Sequence, residues 1–274
     1  MEIIYDMSEK VSIITISFNS EQVIEKTIKS VLGQSYRPLE YVFVDGASKD
    51  KTVNRIKEYI PILEEKGIEV KFISEPDKGI SDAFNKGIIM ATGSIIGITN
   101  ADDAIAENAI EEIASNFPQD IDVYYGNLLW VDNERGISYI RKSSENLRDL
   151  KIRLKILHPA TYVRRSAYEK YGVYNTDFKY CMDKELLARM QRKGAKFQYC
   201  DQVFSIVTAG GVSDKNLRGV IEEGKRIAVE NGIPKIAVEF IFWKNSVMVK
   251  LKALLKKSDW ILRLVSNKKG SRYE

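Results

Sequence analysis

The run Ile95 to Asp103, Ile-Ile-Gly-Ile-Thr-Asn-Ala-Asp-Asp, is strand-like and apolar and ends abruptly in two adjacent carboxylates. In an open parallel sheet a ligand sits beyond the carboxyl ends of the strands, so acids placed there meet it. Hard oxygen donors of this kind suit Mn²⁺ or Mg²⁺ carrying a diphosphate. The plainer use of Asp102 and Asp103 is to cap a helix that the pattern opens at about Ala106. A second apolar run, Leu39 to Asp45, shifts the balance, because it too delivers a carboxylate at its end, just before Gly46, Ala47 and Ser48. A helix is expected from Ser48, with Val53, Ile56, Ile60 and Leu63 spaced along one buried face. Asp45 and the Asp102–Asp103 pair then share one edge of one sheet.

The elements that must hold these acids follow from periodicity. Strands are expected at Val11 to Ser17, Leu39 to Asp45, Val70 to Ser74 and Ser94 to Thr99. Between them, Glu21 to Leu32 reads as a helix ending at Gly33, and Phe84, Ile88 and Ala91 mark another. This βαβαβαβ order predicts an α/β fold with a mainly parallel sheet and helices on both faces. Beyond Ile121 the texture changes to a hairpin, Val123 to Val131 and Ile137 to Ile140, around Asp132, Asn133 and Gly136. A helix from about Met182 to Lys193, a strand from about Lys196 to Val207 and a flexible Gly210-Gly211 loop complete the reading.

With 274 residues, 44% hydrophobic and 29% charged, the chain can bury one sizeable core plus an appendage. It has no apolar run of about 18 residues to span a bilayer. Met1 to Lys10 carries Glu2, Asp6 and Glu9 and lacks a signal-peptide pattern, so a cytoplasmic location is expected. Cys181 and Cys200 make no metal-ligand spacing and are expected to be reduced, structural residues.

Four ordered blocks carry a family resemblance: Val-Ser-Ile-Ile-Thr-Ile-Ser-Phe-Asn from Val11, Val-Asp-Gly-Ala-Ser-Lys-Asp-Lys-Thr from Val44, Glu-Pro-Asp-Lys-Gly-Ile-Ser-Asp-Ala-Phe-Asn-Lys-Gly from Glu75, and Asn-Ala-Asp-Asp from Asn100. Together they resemble family 2 glycosyltransferases of the GT-A fold. The resemblance extends through His158-Pro-Ala-Thr, the segment Asp183 to Arg189, and Gly210-Gly211-Val212-Ser213. It divides the chain into an N-terminal extension (1–10), a GT-A domain (11–215, with a nucleotide-sugar half at 11–105 and an acceptor half at 106–215) and a helical, basic C-terminal segment (216–274).

The resemblance implies inverting transfer of a sugar from a nucleotide diphosphate sugar, UDP by family frequency, to a hydroxyl of a saccharide acceptor. It implies a divalent cation, Mn²⁺ or Mg²⁺, on Asp102 and Asp103, with His158 as a further candidate for the metal or diphosphate. Asp183 matches the position of the family's catalytic carboxylate and is expected to be the general base, with Glu185 as its competitor. Ser17, Asn19 and Asp45 are expected at the nucleobase and ribose, with Lys78, Gly79, Asp82, Asn100, Ala101 and Asp102 around the rest of the donor. For Asp82 a helix cap, and for Lys78 a solvated surface lysine, are the plainer readings. The chain departs from the family in two places: Asn100 replaces the first acid of Asp-x-Asp, and Gly46 replaces an acid often found after the nucleotide-binding aspartate.

From Ile241 to Glu274 there are nine Lys or Arg against two acids, interleaved with Phe242, Trp243, Val247, Leu251, Leu254, Leu255, Trp260, Ile261 and Leu264. Such a segment suits an anionic membrane interface, and equally a helix packed on the body with a basic outer face. With it the acceptor becomes a lipid-linked saccharide for bacterial surface glycans, met at the inner face of the plasma membrane. Nucleic acid is not expected as a partner. The alternatives are a non-catalytic nucleotide-sugar- or membrane-binding protein of the same fold, or a nucleotidyltransferase. The latter's glycine-rich phosphate loop is absent, with Ser17-Phe18-Asn19-Ser20 in its place.

Overall fold

A computed structural model describes residues 9–209 and 216–257. Strands β1 (Val11–Ser17), β2 (Leu39–Asp45), β3 (Ile68–Ser74) and β4 (Ile95–Asn100) run parallel, linked by helices α1 (Ile24–Leu32), α2 (Thr52–Glu65) and α3 (Ile80–Met90). The chain continues through β5 (Ala104–Ile105), α4 (Ala109–Asn116) and the hairpin of β6 (Val123–Asp132) and β7 (Ile137–Arg141). A 3₁₀ turn (His158–Ala160) leads into β8 (Thr161–Arg164) and α5 (Arg165–Tyr171), followed by α6 (Met182–Arg192) and β9 (Phe197–Thr208). Helices α7 (Leu217–Glu230) and α8 (Lys235–Lys257) close the described chain. The sheet order is β3-β2-β1-β4-β8-β6-β9-β5, with β7 paired to β6.

Alternation along the strands divides the core in two, because successive side chains point to opposite faces. Ile14, Val42 and Ile96 meet Phe84 of α3, Tyr168 of α5 and Leu186 of α6 on one face. Ile13, Tyr41 and Ile95 meet Ile28 of α1, Ile56 of α2 and Ile113 of α4 on the other. β2 is buried along its whole length, which is why it reads as a continuous apolar run. The two halves of the chain join where β4 pairs antiparallel with β8, Gly97 opposite Tyr162. A Cβ on Gly97 would stand 2.3 Å from the Tyr162 ring, so the glycine makes room for it.

Three helix starts move from their expected places. α2 begins at Thr52 and not Ser48, because Asp45 takes the Ser48 N–H and Asp50 takes the Thr52 N–H in the intervening turn. α1 begins at Ile24 and not Glu21. The helix expected from Ala106 begins at Ala109, since Ala104 and Ile105 pair with Ile206 and Ser205 of β9. Asn108 precedes that helix, so neither Asp102 nor Asp103 caps it. The Gly210 to Ser213 motif and residues 258–274 of the basic segment lie outside the described residues. Among the described residues no helix is long and apolar enough to cross a membrane, and both cysteines are free.

Candidate active site

A cleft of about 810 Å³ opens at the carboxyl ends of β1 and β4, within the size range of small-molecule sites. Ser17, Asn19, Gly46, Gly79, Asn100, Ala101, Asp102, Asp103, His158 and Asp183 all line it. The turn after β4 is clamped from below by the buried Thr27, whose Oγ1 lies 2.7 Å from the Ala101 carbonyl and 2.6 Å from that of Asp103. A hydroxyl has one proton, so these acceptors share it.

Within that turn the two acids differ. Asp102 is exposed in the cleft, whereas Asp103 is 3% exposed and accepts from Asn100 Nδ2 at 3.0 Å. Burial, with the Asp102 charge beside it, pushes the Asp103 carboxyl up to about 7. Asn100, standing where the family pattern has an acid, thus donates to a carboxylate that a third acid would repel. Among the described residues no salt bridge is formed by Asp102 or Asp103, and the exposed Asp102 carboxylate with Asp103 behind it offers hard oxygen donors of the kind that suit Mn²⁺ or Mg²⁺. Among the described residues no three or more His, Cys, Asp or Glu converge on one point. His158, a candidate for the metal or diphosphate, lines the same cleft as that pair without forming such a group with it. Its Nε2 instead shares a 2.7 Å hydrogen bond with the Tyr174 hydroxyl.

His158 belongs electrostatically with Asp183. Asp183 stands in the first turn of α6, where the helix dipole favours a carboxylate, and its Oδ1 accepts the Lys184 N–H at 2.7 Å. Burial raises the Asp183 carboxyl above its ordinary range while the His158 charge opposes that rise. Burial lowers His158, and Asp183 opposes in turn. Glu185 is 5% exposed, is held by Arg189 at 2.7 Å, and does not line the cleft.

Three expected donor contacts are not in the cleft. Asp45 is fully buried, and its carboxylate already accepts from the hydroxyls of Ser17, Ser48 and Ser74 and from the Ser48 N–H. Lys78 is exposed and does not line the cleft, although Asp77 and Gly79 on either side of it do, and its N–H donates to Asp82 Oδ2 at 3.0 Å. Asp82 therefore braces the start of α3, as a helix-start acid does.

The residue that faces the cleft near Asp45 is Asp77. Its Oδ1 accepts the Gly79 N–H at 2.8 Å, just where the chain turns with φ of 117° into α3. A Cβ on Gly46 would stand 2.4 Å from Asp77 Oδ2, so the missing side chain at 46 leaves room for that carboxylate, and it would only touch the Phe18 ring at 3.4 Å. Phe18 is 62% exposed on the cleft wall. The acid-to-glycine departure and the Glu-Pro-Asp block were both visible in the sequence, but their proximity was not. Trp130 and Arg141 also line the cleft from the β6–β7 hairpin, the Trp130 ring lying 5.1 Å from that of Tyr139 and tilted by 40°. Nothing in their local sequence marks them as cleft residues.

Known proteins resemble this chain in both sequence and shape. Residues 12–175 match the model of "Glycosyl transferase family 2". An uncharacterized glycosyltransferase of Mycobacterium tuberculosis is 31% identical over 193 residues, 65% of this chain and 68% of the relative. A PGL/p-HBAD biosynthesis glycosyltransferase of Mycobacterium bovis is 27% identical over 175 residues, 63% of this chain and 66% of the relative. Among solved structures, S. aureus TarS 1–349 in complex with UDP superposes with a TM-score of 0.64 at 18% identity, covering 85% of this chain and 69% of TarS. The mannosyltransferase PcManGT from Pyrobaculum calidifontis, in complex with GDP-Man and Mn²⁺, gives 0.62 at 16% identity, covering 98% of this chain and 82% of that one. The α/β fold expected from the sequence is the fold of these GT-A type glycosyltransferases.

Proposed function

Because the chain belongs to glycosyl transferase family 2, we propose that it moves a sugar from a nucleoside diphosphate sugar, UDP-linked, to a hydroxyl of a saccharide acceptor with inversion. The observation that carries this reading is that one cleft collects Asp102 from the turn after β4 and Asp183 from the start of α6. The nucleobase lies against Phe18, and Asp77 Oδ2, which has no hydrogen-bond partner among the described residues, accepts from a base N–H or a ribose hydroxyl. Asp45 does not touch the nucleotide; it fixes the β2 turn that carries Gly46.

Asp102, with Asp103 behind it, would hold Mn²⁺ or Mg²⁺, whose charge offsets that of the departing diphosphate. Asp183 orients the acceptor hydroxyl and takes its proton. The acceptor oxygen bonds to the anomeric carbon as the bond from that carbon to the diphosphate breaks, and the electron pair leaves with the diphosphate. The raised affinity of Asp183 for protons makes it a stronger base than an exposed aspartate. His158, tied to Tyr174, steadies the charge beside it.

The acceptor is a lipid-linked saccharide of a bacterial surface glycan. The M. bovis relative, whose name places it in PGL/p-HBAD biosynthesis, supports an envelope pathway. The test is sugar-labelled UDP-hexoses and GDP-mannose incubated with Mn²⁺ and bacterial membrane lipid. Label is expected to pass from one UDP-sugar into the lipid fraction, at a rate about 10²–10⁴-fold lower in Asp183→Asn. Label that stays on the nucleotide in every mixture would contradict the reading.

A further inference from the structure

Helix α8 has two apolar faces, and only one of them is used. On the inner face Val238 is buried, and the Phe242 ring lies 6.0 Å from Lys184 Nζ and against Gly224 of α7. On the outer face Ile236, Phe240, Trp243 and Val247 follow one another at steps of four, three and four residues, the spacing of a single helix stripe. They are 87%, 61%, 62% and 42% exposed, and the Phe240 and Trp243 rings lie 6.0 Å apart. The sequence keeps the same step at Leu251 and Leu254. A surface helix that has already buried one face is expected to be polar on the other, so a second apolar stripe needs a second partner.

Charge says which partner. Lys235 and Lys244 are exposed beside the stripe, and the sequence from Ile241 to Glu274 carries nine Lys or Arg against two acids. A second copy of the chain would set that positive charge against itself. An anionic bilayer satisfies both features at once: aromatic and aliphatic side chains enter the acyl boundary while lysine stems reach back to the headgroups.

We infer that the outer face of α8 is a docking surface for an anionic phospholipid bilayer, seated on the stripe Ile236, Phe240, Trp243 and Val247. Lys184, which the Phe242 ring meets, directly follows Asp183. Through Phe242 on its inner face, α8 thus packs on the residue that follows Asp183. The membrane surface and the cleft lie on neighbouring elements, as a lipid-borne acceptor requires.

The inference goes beyond the transfer reaction, and vesicle binding is read separately from turnover. The full chain is co-sedimented with phosphatidylcholine vesicles with and without phosphatidylglycerol. Binding is expected only to the anionic vesicles, weakening with salt. The Phe240→Ser/Trp243→Ser double variant is expected to lose at least about tenfold in binding, with melting temperature and UDP-sugar turnover in detergent unchanged. Lys244→Glu, which leaves the stripe whole, is expected to weaken binding to the anionic vesicles and to make it less dependent on salt. Wild type that ignores anionic vesicles, a double variant that binds like wild type, or a stripe-dependent dimer in light scattering would each overturn the inference.

Discussion

Gly46 and Asp77 compete for one volume: a Cβ at position 46 would lie 2.4 Å from Asp77 Oδ2. The chain thus carries a glycine after Asp45 and brings a carboxylate to the cleft from the next strand-to-helix turn. Asp45 and Asp77 divide the work, one as an internal brace and one as a ligand-facing acceptor. Asp77→Asn, whose amide oxygen can keep the Gly79 N–H while the charge is lost, is expected to weaken UDP binding roughly tenfold, the worth of one hydrogen bond, with little change in melting temperature. Asp45→Ala is expected to lower the melting temperature by several degrees, since it strands the Ser17, Ser48 and Ser74 donors. Calorimetric titration and thermal melts on both variants separate the roles; equal behaviour would merge them.

Thr27 is a positioning residue for the acidic turn. Thr27→Val keeps the side chain's size and removes the one proton shared by the Ala101 and Asp103 carbonyls. The expected result is a loss of about 1–3 kcal/mol in stability and a weaker response of UDP affinity to Mn²⁺, measured by urea unfolding and titration. A variant that loses stability alone would show that the clamp serves only the fold.

The pH profile of turnover follows from Asp183. A base acts when deprotonated, and burial raises this carboxyl, so kcat/KM is expected to fall on the acid side at a pH above the ordinary aspartate value of about 4. His158→Gln keeps a partner for Tyr174 but removes the charge that opposes the rise, so the acid limb is expected to move to higher pH. An unmoved limb would uncouple the two residues.

Acid stability follows from Glu40, far from the cleft. Burial alone would raise its carboxyl, but Lys71 at 2.9 Å, the Ser12 hydroxyl and Thr92 outweigh it and hold it at about 2, against an ordinary 4.5. As pH falls, the unfolded chain binds this proton first. The contribution is therefore whole above about 4.5 and is lost as pH falls toward about 2. Glu40→Gln is expected to flatten the dependence of the urea midpoint on pH across that window, and a slope equal to wild type would contradict it.

The sheet was legible where burial on both faces makes a strand one apolar run, as in Val11–Ser17 and Leu39–Asp45. Periodicity likewise gave α6, and with it the place of Asp183. β5 was not legible, because two residues become a strand only through β9, which lies about a hundred residues on. The inward turn of Asp45 depends on Ser17 and Ser74 from two other strands, and no local pattern carries that. Trp130 and Arg141 line the cleft from a hairpin whose β6 strand is placed by its pairing with β9, another long-range property. The signal for Asp77 was present, in the glycine at 46, but needed the fold to join the two.

Calorimetric titration of UDP into wild type and Asp102→Ala, each with and without Mn²⁺, tests the account most directly. Binding to wild type is expected to strengthen at least about tenfold with Mn²⁺, and Asp102→Ala is expected to abolish that gain while keeping the metal-free affinity. Equal affinity in all four titrations, or no binding of UDP at all, would contradict the assignment of this cleft to a metal-assisted UDP-sugar donor.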